Sequence, residues 1–196
     1  MLSLSAFKRL FKRAESLRAR PLKATKQRSR QRSRQLTAGE IALARSVFGD
    51  SIRLEQVQLK TACWVLKNYA VSPNGNIYFH PDDWVTDFSQ CSLAKQSWLI
   101  HELTHVWQLQ QGLKVVRGAM IDRRYDYVLA AGKPFFNYGI EQQARMVQDY
   151  FISRQQGRDC QGFESCIPFL ATQKIDKSHD HNRTRDEHKT HETFKV

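Results

Sequence analysis

Long hydrophobic runs are missing from the sequence. No stretch of about eighteen apolar residues occurs, so no transmembrane helix is expected. Cysteine is scarce as well. Cys63, Cys91, Cys160 and Cys166 are too few to define a disulfide scaffold in a chain of 196 residues. Cys160 and Cys166, on either side of Gly162, either close a small loop in an oxidising compartment or stay as free thiols, and their spacing is not the CxxC of a zinc ribbon. Acidic residues are nearly absent from positions 1–35, where twelve Lys or Arg face Glu15 alone. The rest of the chain holds 19 basic and 18 acidic residues, a net of +1, so +11 of the net charge of +12 belongs to an N-terminal arm and not to the body. Such an arm reads as a docking segment for nucleic acid, an anionic surface or a partner protein, or as a solvated tail. Its start, Met1 to Phe11, spaces Leu2, Leu4, Phe7, Leu10 and Phe11 among Lys8, Arg9 and Lys12. That is a short basic amphipathic helix without the continuous apolar core of a signal peptide, so synthesis in the cytoplasm without that export route is expected. No internal repeat is present.

What remains suits one domain with tails: arm 1–36, body 37–173, and a polar His-rich tail 174–196. Thr37-Ala38-Gly39-Glu40 is a capping box, followed by the helical apolar positions Ile41, Leu43, Ala44, Val47 and Phe48, with Gly49 as the stop. Ile52, Leu54, Val57 and Leu59 predict a short strand. Asn76 to His80 predicts another, after the turn Ser72-Pro73-Asn74-Gly75 and before Pro81. It is either a sheet edge that pairs with an extended substrate or an inner strand. Ser92 to Gln111 carries the strongest helical stripe, with Gly112 as its C-cap. Tyr125 to Leu129 predicts a short helix, and Asn137 caps a helix from about Tyr138 to Gln156.

Chemistry enters at His101-Glu102-Leu103-Thr104-His105, an HExxH sequence. Residues four apart share a helix face, so both imidazoles can hold one ion, and Glu102 is then aimed at the ion's water. Zinc lowers the pKa of that water from 15.7 to about 7, within reach of a carboxylate base. Short motifs of this kind recur by chance, but here the motif sits mid-helix among Trp98, Leu99, Ile100, Val106 and Trp107. A catalytic zinc takes a third protein ligand. Glu141, in an early turn of the next helix between Gly139 and Ala144, is best placed; His80, Asp122, Asp126, Asp149 and tail histidines such as His191 are the alternatives. A donor to a developing oxyanion is also needed, with Tyr127 placed ahead of Tyr125 and Tyr138 because its segment lies between the two helices. Tail histidines could take up a stray metal ion.

The segments Trp98 to Gln108, Tyr125-Asp126-Tyr127 and Ile140-Glu141-Gln142-Gln143-Ala144 resemble the Vgr-related metallopeptidase-like family of bacteria, as do Gly39-Glu40 and Val47-Phe48-Gly49-Asp50 upstream. The resemblance covers about residues 37–155. It implies an α+β zincin-like fold, predominantly helical, with a small β-sheet beside the active-site helix. It implies His101, His105 and Glu141 as Zn2+ ligands and Glu102 as the base of an amide-bond hydrolase. It also implies a secretion setting, with a Vgr or Rhs partner or an immunity protein, and peptidoglycan or periplasmic protein of a target cell as substrate. Arg145 departs from thermolysin-like relatives, which carry an acid four residues after the ligand glutamate, so the partner of His101 is left open with Asp149 as a guess. Two other classes stay in view: a cytoplasmic protease tethered to nucleic acid by the arm, by analogy with SprT-like proteins, and a non-catalytic zinc-stabilised adaptor of a Vgr spike.

Overall fold

The computed structural model describes residues 31–115 and 124–170; the amphipathic start, Asp122 and the tail histidines lie outside them. The described residues form an α+β fold, with a four-stranded sheet of β1 (Ser33–Gln35), β2 (Gln58–Thr61), β3 (Ala70–Val71) and β4 (Ile77–Phe79) in the order β1-β2-β4-β3. β1 runs antiparallel to β2, β2 parallel to β4, and β3 antiparallel to β4. Among the described residues four α-helices accompany it: α1 (Ala38–Phe48), α2 (Leu93–Gln110), α3 (Ile140–Gln155) and α4 (Gln161–Cys166).

β4 is therefore an inner strand, hydrogen-bonded on both sides, and the free edge next to it is β3. The β3–β4 hairpin turns through Pro73-Asn74-Gly75, where Gly75 sits at φ 82°, a conformation that costs glycine least. Leu59 and Ile77 are in register on one sheet face with Phe79, all fully buried. Phe79 meets Trp98 edge-on at 5.1 Å between ring centroids and Phe88 at 5.2 Å, which seats the start of α2 on the sheet. α2 is then buried on every side from Leu99 to Gln108, because the sheet covers one flank and α3 the other. A helix enclosed in this way must find partners for every polar side chain it carries.

Three expected elements differ. Ile52, Leu54 and Val57 are buried but not in a strand, and β2 begins only at Gln58. Tyr125 to Leu129 are not helical. That loop is held by side chains instead, with Tyr138 Oη donating to the Val128 carbonyl at 2.9 Å and Gln142 Nε2 to that of Asp126. Asn137 ends a 3-10 turn (Phe135–Asn137), and Gly139 is the N-cap of α3, its N–H donating to Gln142 Oε1.

The capping box of α1 forms, with Glu40 N–H donating to Thr37 Oγ1 at 3.1 Å and Thr37 N–H to Glu40 Oε2 at 2.9 Å. Glu40 does more than cap. Its fully buried carboxylate receives both terminal nitrogens of Arg34 at 2.7 Å and the Phe88 N–H at 2.8 Å, while Arg34 also donates to the Val85 carbonyl. The ordered sheet thus reaches back to Ser33, and one ion pair ties β1, α1 and the loop before α2 together. Glu40→Ala leaves Arg34 and two N–H groups without their acceptor and should cost about 3–5 kcal/mol of stability in a denaturant titration. A loss below about 1 kcal/mol would show that water replaces the carboxylate there.

Candidate metal centre

His101 and His105 project from the enclosed middle of α2, one turn apart, with ring centroids 5.0 Å from each other and planes at 83°. α3 packs against this stretch and presents Glu141 from its first turn. A carboxylate at that position also gains about 0.3–1 kcal/mol from the helix dipole. Glu141 Oε2 lies 3.5 Å from His101 Nε2 and 3.4 Å from His105 Nε2. The three side chains are buried, and one ligand atom from each falls within 4.8 Å of the others.

The donor set and its spacing fit a zinc ion. Zinc reaches imidazole nitrogen and carboxylate oxygen at about 2.0–2.2 Å, and a tetrahedron with those arms has edges of about 3.3–3.6 Å. The distances of 3.4 and 3.5 Å from Glu141 to the two histidines fall in that range. Among the described residues the donors are two imidazoles and one carboxylate, with no thiolate, which is the ligand count of an open catalytic site.

The electrostatics point the same way. Burial works against a charge on His105, but the Glu141 carboxylate, and Glu102 behind it, push its pKa up to about 9. Burial likewise works to raise the Glu141 carboxyl, and the two histidines overcome it and hold the group well below the usual carboxylate range. The pocket therefore favours a positive centre between these donors. A divalent ion bound there would take the place of the proton on His105.

Glu102 is buried beside the cluster and does not belong to the ligand triangle. Its Oε2 accepts from Ser72 Oγ at 2.8 Å, a residue that directly follows edge strand β3. Ser72 escaped the sequence reading, where it figured only as part of a turn. His105 Nδ1 meets Gln108 Oε1 at 2.8 Å, a contact that a buried polar residue one turn after a metal histidine could have signalled. His101 Nδ1 has no hydrogen-bond partner among the described residues, and Asp149 does not serve it. Asp149 instead takes the Tyr127 hydroxyl at 2.9 Å and Arg145 at 3.0 Å. Tyr127, half buried, keeps its hydroxyl protonated because burial and Asp149 both oppose its ionisation. Tyr138 is committed to the Val128 carbonyl, whereas the Tyr125 ring lies 6.2 Å from that of His101. His80 caps the 3-10 turn Pro81–Asp83 by accepting from Asp82 N–H, and neither it nor Asp126 joins the ligand group. All four cysteines are free: Cys160 Sγ faces the Arg158 carbonyl and Cys166 Sγ that of Lys133.

Fold and cluster define an α+β protein with a buried two-histidine, one-carboxylate metal-type site between two helices. No family model matches the chain. It is 42% identical over 135 residues to the type VI secretion system spike protein VgrG2b of Pseudomonas aeruginosa, a match that spans 63% of this chain but 13% of that protein. Among solved structures it is similar to the effector domain of Pseudomonas aeruginosa VgrG2b, with 34% identity and a TM-score of 0.66 over 82% of this chain and 92% of that domain. The chain belongs to the family of that effector domain.

Proposed function

We propose that the body is a type VI secretion effector domain with zinc-dependent peptidase or amidase activity. The observation that carries the chemistry is the convergence of His101, His105 and Glu141 at tetrahedral spacing, with the buried carboxylate of Glu102 next to them. The membership in the VgrG2b effector-domain family supports the setting, a domain delivered with a Vgr spike into a target cell. Zincin architecture and periplasmic action belong to the same proposal, with peptidoglycan cross-links or periplasmic protein as substrate. So does the division at residues 36 and 173, with strand β1 added to the folded unit.

His101, His105 and Glu141 would hold a zinc ion, which would supply Lewis acidity and bring the pKa of water down to about 7. Glu102 takes the proton of the attacking water and passes it to the leaving amine, while Ser72 holds its carboxylate in place. His101 and His105 contribute neutral imidazoles, and Glu141 offsets part of the ion's charge. Donation to the developing oxyanion belongs to the same proposal, with Tyr127, whose hydroxyl stays protonated, and Tyr125, beside His101, as its candidates.

Purified protein should contain about one zinc per chain and cleave either isolated peptidoglycan or an unfolded protein such as casein. A strong chelator should abolish cleavage, and stoichiometric zinc should restore it. Undiminished cleavage by protein proven free of metal would refute the proposal.

A further inference from the structure

The second histidine of the motif is held by a chain of amides whose direction is fixed by the backbone. The Tyr138 carbonyl can only accept a hydrogen bond, so the side-chain atom that meets it at 2.7 Å must be the amide nitrogen of Gln143. Gln143 Oε1 is then left to face Gln108, which meets it at 3.0 Å with its own Nε2. The Ile140 carbonyl, 3.0 Å from the same Nε2, imposes that orientation on Gln108 a second time. Gln108 Oε1 consequently points at His105 Nδ1, 2.8 Å away, and that nitrogen must carry a proton. Gln108 is fully buried and Gln143 nearly so.

We infer that Gln108 and Gln143 are positioning residues of the metal site: they lock His105 as the Nδ1–H tautomer, so that the lone pair of Nε2 faces Glu141 and the ion. The inference rests on the metal-binding part of the proposed function and not on the reaction. The locking element also joins the two helices that supply the ligands. Gln108 sits on α2, and its acceptors, the Ile140 carbonyl and Gln143, belong to the first turn of α3, on either side of Glu141. One amide therefore sets the ring of His105 and the depth at which Glu141 enters. His101 has no such brace among the described residues, which makes the two histidines unequal.

The test uses zinc alone as the probe, titrated against a chromophoric chelator, on the wild-type chain and on Gln108→Leu, Gln143→Met and His101→Ala. Gln108→Leu should raise the zinc Kd about 10–100-fold, and Gln143→Met should have a smaller effect of the same sign because the Ile140 carbonyl still holds Gln108. In the zinc-loaded wild type, the His105 ring N–H should appear in proton NMR as a slowly exchanging downfield signal. Gln108→Leu should lose that protection, a change that a merely structural glutamine would not produce. Wild-type affinity in both glutamine variants, with the ring proton still protected, overturns the inference while leaving the site intact. If the wild type itself binds no more zinc than His101→Ala, the metal reading falls and the inference with it. Should Gln108→Leu fail to fold, Gln143→Met and the wild-type ring proton decide.

Discussion

Glu102→Gln should keep its zinc and its fold while losing hydrolysis at least about a hundredfold. General acid–base catalysis contributes about 10²–10⁴-fold, and glutamine preserves the shape of the side chain without the ability to take a proton. The amide can still accept from Ser72 Oγ, the contact that holds the native carboxylate at 2.8 Å, so the fold has little reason to change. Metal content is protected for the same reason, because Glu102 stands outside the ligand triangle. The measurement is cleavage of the chosen substrate, or toxicity on delivery to the periplasm, beside zinc content and melting temperature. Full activity in this variant, with metal and fold intact, would assign the function to a zinc-stabilised adaptor and remove hydrolysis from the account.

The ligand variants should have the largest effect on metal itself. His101→Ala and His105→Ala each delete one of three donors, and both should weaken zinc by more than about a hundredfold, beyond the range seen when only a supporting residue is lost. Glu141→Ala should weaken it as well, and it also strips His105 of the carboxylate that raises its pKa. His80→Ala is the control, since its ring caps a 3-10 turn and stands apart from the cluster. Zinc retained in Glu141→Ala but lost in His80→Ala would mean that the third ligand is misassigned.

Much of the scaffold was legible because it repeats. The stripe over Ser92 to Gln111 and the Thr37–Glu40 box are local patterns, and both appear within a residue of their predicted places. HExxH spacing and an acid in the first turn of the next helix are local too, so the sequence could nominate His101, His105 and Glu141 together. Pairings over long sequence separation left no such trace. β1 is three polar residues recognisable only by its partner β2, and β3 is two residues long. The loop from Tyr125 to Leu129 has apolar spacing that suits a helix, yet hydrogen bonds from Tyr138 and Gln142 hold it open. Ser72 reaches Glu102 across thirty positions, and Gln143 reaches Gln108 across thirty-five. Nothing periodic marks either pair. A buried glutamine inside an apolar helix face was the one clue available, because enclosure obliges its amide to find partners.

The clamp of Arg34 on Glu40 has a mechanical consequence. β1 is an edge strand, and only Leu36 and Thr37 separate its end from the helix that follows, leaving little slack between them. Its first residue follows Arg32, whose N–H and carbonyl are both taken by Thr61. Residue 32 itself is therefore fixed to the sheet through both of its backbone groups. Tension applied from that side meets the β1–β2 pairing and the buried Arg34–Glu40 ion pair before it reaches either helix that carries His101, His105 or Glu141.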